Sequence, residues 1–133
     1  MRSLGLTRRK DATYAETLNL AGATVADGEE SFDEFWRHYL RHHAQGGTRM
    51  LHMLGTGLAA LALLAAIITV DPLIALAGTA LGYVLAWTGH FLIEGNRPAM
   101  VFHPAWAFQC DIRMFRLSVS GRLQSELKKA GVS

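Results

Sequence analysis

The chain has 133 residues, half of them hydrophobic and only 18% charged, with a formal net charge of +2. That length supports one small domain, and so apolar a composition excludes an ordinary water-soluble one and points to a membrane protein. The basic residues flank apolar segments instead of forming one dense stripe, so anionic lipid headgroups are the expected partner and nucleic acid is not.

Residues 1–30 carry a basic cluster, Arg2, Arg8, Arg9 and Lys10, and then a run of small residues without apolar period. They read as a flexible basic tail, with no apolar core and cleavage site of a signal peptide. At Ser31-Phe32-Asp33-Glu34 the pattern becomes that of a capping box, which predicts an amphipathic helix over 31–45. Its apolar positions are Phe32, Phe35, Trp36, Tyr39 and Leu40, and the next in the series is His43. His43 therefore faces inward, whereas His38 and His42 project onto the polar flank. Gly46-Gly47 is the expected helix terminator, because glycine accepts the left-handed geometry of a carboxy-terminal cap.

Two apolar segments follow, about 50–70 and 73–95, joined at Asp71-Pro72. Each has the length of roughly 20 residues that a hydrocarbon core requires, so both read as transmembrane helices forming an antiparallel hairpin. The connecting loop holds no Lys or Arg, while seven basic residues precede the first segment and six follow the second. The positive flanks place both termini in the cytoplasm. His52, nineteen residues before Asp71, and His90, eighteen after Pro72, then share one depth near that interface. Gly55, Thr56 and Ala59 line one side of the first helix, and Gly78, Gly82 and Ala86 make a small-xxx-small series on the second. That series serves contact within the hairpin or, alternatively, a homo-oligomer. Tyr83, Trp87, His90 and Glu94 share the neighbouring face, with Glu94 placed either as a metal ligand, as an acceptor that orients His90, or as a surface charge paired with Arg97.

Asn96-Arg97-Pro98 ends the second helix. An interfacial helix is expected over about 105–123, with Trp106, Cys110, Met114 and Leu117 as its apolar stripe, and residues 124–133 read as a solvated tail. Cys110 is the single cysteine, which excludes an internal disulfide and a thiolate zinc site within one chain. The fold class is thus an all-α membrane protein, a two-helix hairpin flanked by amphipathic helices. His43, His52, His90 and the loop residue His103 arrive at one membrane face from separate segments. An imidazole-rich site with a carboxylate and open positions suits non-haem Fe(II), with zinc as the alternative.

FWRHYLRHHAQGGTRMLHMLGT and GHFLIEGNRPAM resemble the two signature blocks of the small membrane proteins typified by the fungal 2-hydroxy fatty acid dioxygenase, and the resemblance spans about 31–100. It implies Fe(II) and O2 chemistry at the α-carbon of a 2-hydroxy fatty acid, yielding an acid one carbon shorter. His43, His52 and His90 match family histidines, and Glu94 and Arg97 match the acid and base of the second block; His103 has no such counterpart. Arg97 or Arg49 is placed to pair with a substrate carboxylate. The fungal proteins carry additional membrane segments where this chain has one tight turn. Two readings from other classes stand beside this one. A haem-binding electron carrier would use two of the histidines axially, and a scaffold or lipid-binding hairpin would need none of them.

Overall fold

A computed structural model of the protein describes residues 31–132, so the basic tail expected over 1–30 lies outside the described residues. The described chain is entirely helical: α1 (Phe32–His42), α2 (Gly46–Thr69), α3 (Pro72–Thr88) continued by a π-helical turn (Gly89–Glu94), a 3-10 turn (Ala99–Val101), α4 (Pro104–Val119) and α5 (Leu123–Lys129). At the start of α1, Ser31 Oγ accepts from the Glu34 amide and Glu34 returns the bond to the Ser31 amide. This reciprocal cap satisfies two of the orphan donors at the helix start.

The break after α1 falls earlier than the glycine pair suggests. His43 is already the cap residue, and Gly46 and Gly47 open α2 in helical geometry. Arg49 takes over the terminating role: its guanidinium donates to the carbonyls of His43 and Ala44 at 2.8 and 2.6 Å. A cation here both satisfies orphan carbonyls and complements the negative end of the helix dipole.

α2, and α3 with its π turn, are both long and apolar enough to cross a membrane, and only 22% of each apolar window is buried. Leu61, Leu64, Ile67, Ile68, Leu73 and Leu76 all face outward. In water each such side chain would forgo roughly 2 kcal/mol of burial. The two helices meet through small residues. Gly55 touches the Gly82 backbone, and Gly78 touches Ala62. A Cβ on Gly55 would stand 2.5 Å from the Gly82 carbonyl oxygen, so this seam is closed by backbone contact. The Gly78/Gly82 face is therefore engaged within the chain. Gly55→Leu should force the helices apart, at a cost of about 1–3 kcal/mol. A lowered midpoint of unfolding in detergent, with reduced helical signal at fixed temperature, checks this.

A separate apolar core lies beside α2 and α3. Phe35, Trp36, Tyr39 and Leu40 of α1 pack with Ala107, Cys110 and Met114 of α4. The solvated tail expected over 124–133 is, over its described part, a helix that completes this core. Leu127, Ala130 and Val132 are buried, the Trp36 indole donates to Glu126 at 3.0 Å, and Arg41 donates to the Ala130 carbonyl at 2.9 Å. The apolar spacing Leu123, Leu127, Ala130 is the signal that a hydrophilic segment such as this conceals.

Candidate metal centre

Three histidines from three helical elements converge. His43 caps α1, His52 lies in the second turn of α2, and His90 lies in the π turn, all three buried. A network of local bonds brings the elements together. The Gln45 amide donates to Glu94 at 2.5 Å, the Gln45 side-chain amide donates to the Ile93 carbonyl at 3.0 Å, and Asn96 Nδ2 donates to the His42 carbonyl at 3.0 Å. The end of α1 is thereby tied to the π turn that follows α3 and the residues just after it. π turns concentrate at functional sites because the extra residue re-aims side chains. In this one, Gly95 adopts the left-handed region at φ 67° and turns the chain back, with the Asn96 amide donating to the His90 carbonyl.

The ring nitrogens divide into two sets. Each Nδ1 faces an oxygen: His43 the Tyr39 carbonyl at 2.6 Å, His52 Asp111 Oδ1 at 3.2 Å, and His90 Asn96 Oδ1 at 2.8 Å. A carbonyl and a carboxylate only accept, and Asn96 has committed its NH2 to His42, so the hydrogen-bond partners assign the proton of every ring to Nδ1. In the neutral rings the three Nε2 atoms then carry lone pairs, and they face one another. His52 Nε2 is 3.1 Å from His43 Nε2 and 3.1 Å from His90 Nε2. Burial, with His52 and His90 beside it, holds the His43 imidazole well below its usual pKa, so proton uptake there does not relieve the crowded lone pairs.

A cation does relieve them. Metal–imidazole bonds of about 2.0–2.1 Å set neighbouring ligand nitrogens roughly 3 Å apart. The one group of three or more candidate ligands among the described residues is His43, His52 and His90, with ligand atoms within 4.8 Å of one another. A cavity of about 20 Å³, enough for a single ion or water, is bordered by all three, with Tyr39 and Asp111. The donor set and the space thus fit a metal ion, and they do so with every imidazole oriented from behind by an oxygen.

The other residues singled out from the sequence lie elsewhere. His103 is exposed, its ring stacked on Trp106 at 5.1 Å and edge-on to Phe35 at 5.5 Å, outside the histidine group. Glu94 does not orient His90; its carboxylate holds the Gln45 amide. The wider π turn accounts for this, because i and i+4 no longer stack as they do in an α-helix. Arg97 is exposed in the segment after Gly95. Cys110 is fully buried and its thiol is pushed up to about 12, first by burial and then by Asp111, which makes it a protonated core residue.

Asp111, Tyr39 and Asn96 emerge only from the structure. Asp111 Oδ1 accepts from both His52 and the Tyr39 hydroxyl. Burial and the adjacent carboxylate raise the Tyr39 pKa well above its usual value, so the phenol stays a donor. The available signal was spacing: Asp111 is the one acid in Pro104–Val119 and sits four residues after Ala107 and three before Met114, on the edge of the apolar stripe.

No curated protein and no solved structure matches the chain. A family model does, over residues 29–123, a stretch that includes all three histidines and reaches through α4 to take in Asp111. By that match the chain belongs to the Mpo1-like family, described as 2-hydroxy-palmitic acid dioxygenase Mpo1-like.

Proposed function

We propose that the protein is an integral membrane dioxygenase that holds Fe(II) on His43, His52 and His90 and shortens 2-hydroxy fatty acids by one carbon. The observation that carries this is the convergence of three Nε2 atoms, each ring held from behind by an oxygen. Three imidazoles leave coordination positions open, which suits a redox-active Fe(II) better than a closed structural zinc site. When bound, such a metal supplies the activation of O2. The family description supplies the substrate class. Conversion of R–CHOH–COOH and one O2 to R–COOH leaves CO2 and H2O as the remaining products, so no external reductant is needed.

The chain's own residues prepare the site. Asn96 and Asp111 fix the orientation of His90 and His52, and Glu94 holds the α1–α2 connection against the π turn. Arg97, exposed near the same end of the span, is the proposed partner of the substrate carboxylate. The spans form an antiparallel transmembrane hairpin, and the basic flanks put the histidines at the cytoplasmic face. His103 is not carried into the ligand set. The non-haem reading is supported over a haem one by the 3.1 Å approach of His52 Nε2 to both other Nε2 atoms, since a porphyrin has to pass between two axial imidazoles.

Protein purified in lipid nanodiscs and loaded with Fe(II) should convert 2-hydroxypalmitic acid to the fifteen-carbon acid, with O2 consumed one for one. Mass spectrometry of the extracted acids and an oxygen electrode read this. Iron-loaded protein that yields no shortened acid refutes the activity and leaves a lipid-binding hairpin.

A further inference from the structure

A second cavity adjoins the metal-sized one. The two share His52, Tyr83, Ala86 and Asp111 as lining. The second has a volume of about 70 Å³ and lies among α2, α3 and α4, reaching Ala59 and Thr79 at its far end. From His52 to Ala59 is seven residues, about 10 Å along the helix, in the direction of the Asp71-Pro72 turn and hence of the membrane interior. The ionisable lining belongs to the histidine end, and beyond it the walls are small or apolar. Phe108 and Ile112 of α4 form its outer side, and both are exposed, at 57% and 40%. The space is therefore a groove open sideways to lipid, with its polar end at the candidate metal site.

We infer that this groove seats the acyl chain of a fatty acid that enters sideways from the bilayer, its reacting end directed to His52 and its chain running toward Ala59 and Thr79. The inference rests on the proposed oxidation of a lipid at the histidines and adds the residues that select chain length. Two other places for the chain are disfavoured. Gly55 and Gly82 line this groove, but their backbones touch, so the chain cannot pass between α2 and α3 and must lie on the α4 side of that contact. A larger apolar groove of about 740 Å³, between Met50, Leu54 and Leu58 of α2 and Phe115 of α4, borders none of the three histidines. At its end Arg49 already serves the carbonyls of α1. A chain held there would lie away from the converging nitrogens.

The test is photolabelling of the full chain in nanodiscs with a palmitic acid analogue bearing a diazirine at mid-chain. Labelled peptides are mapped by mass spectrometry, with and without excess 2-hydroxypalmitic acid. Competed labelling is expected at Thr56, Ala59, Thr79 or Ile112. Competed labelling on Met50, Leu54 or Phe115 overturns the inference, as does the absence of any competed label. Ala59→Phe should raise KM for 2-hydroxypalmitic acid at least tenfold and change that for 2-hydroxyoctanoic acid less than twofold, with iron content unaltered. Equal effects on both acids overturn the chain-length role. Labelling requires no turnover, so protein labelled in the groove without producing shortened acid refutes the oxidation and keeps the groove. Turnover without groove labelling does the reverse.

Discussion

His52→Ala protein, purified in folded form, should bind no stoichiometric iron. His52 is the central member of the group, its Nε2 lying 3.1 Å from that of each of the other two. Its removal leaves His43 and His90 without the nitrogen that both approach. The loss should exceed the roughly 10–100-fold that follows removal of an outer-shell partner. His90→Ala should behave alike, whereas His103→Ala should retain its iron, since that ring stacks on Trp106. Metal analysis of each variant, with near-ultraviolet circular dichroism to establish folding, gives the comparison. Full iron content in both His52→Ala and His90→Ala would sink the proposed centre.

Asp111→Ala should weaken metal binding by about 10–100-fold without removing any ligand. The carboxylate is the acceptor that assigns the His52 proton to Nδ1. Without it, that ring is free to take the other tautomer and turn its protonated nitrogen toward the metal. The Tyr39 hydroxyl, which donates to the same oxygen, also loses its partner. A buried donor left unsatisfied costs about 1–3 kcal/mol, so a lower unfolding midpoint should accompany the weaker binding. Asp111→Asn retains an oxygen at this position and should recover much of the affinity. Titration with Fe(II) under anaerobic conditions reads the metal term, and thermal unfolding of the metal-free protein reads the other. Unchanged affinity in Asp111→Ala would show that His52 is oriented by packing alone.

These expectations draw unequally on sequence and structure. The capping box at Ser31, the two long apolar helices and the inward position of His43 follow from local pattern, because helix periodicity and apolar run length are properties of neighbouring residues. The relation of His90 to Glu94 did not follow. It assumes α-helical winding throughout, and the π turn at Gly89–Glu94 breaks that assumption. The hidden core face of residues 123–132 shows the same difficulty in milder form, since its three apolar positions gain meaning only against Trp36 and Leu40.

By itself the sequence determined that the chain is helical and that two of its segments are apolar enough for a bilayer; it offered four histidines for one site, His103 among them. The tertiary structure alone decided that three of those histidines meet nitrogen to nitrogen, and that Asn96 and Asp111 stand behind two of them. The physical reason is distance along the chain. Asp111 is separated from His52 by 59 residues, and their hydrogen bond exists only because α4 packs across the start of α2. Periodicity reports which way a side chain points from its own helix. What it meets there depends on helices that the local pattern does not contain.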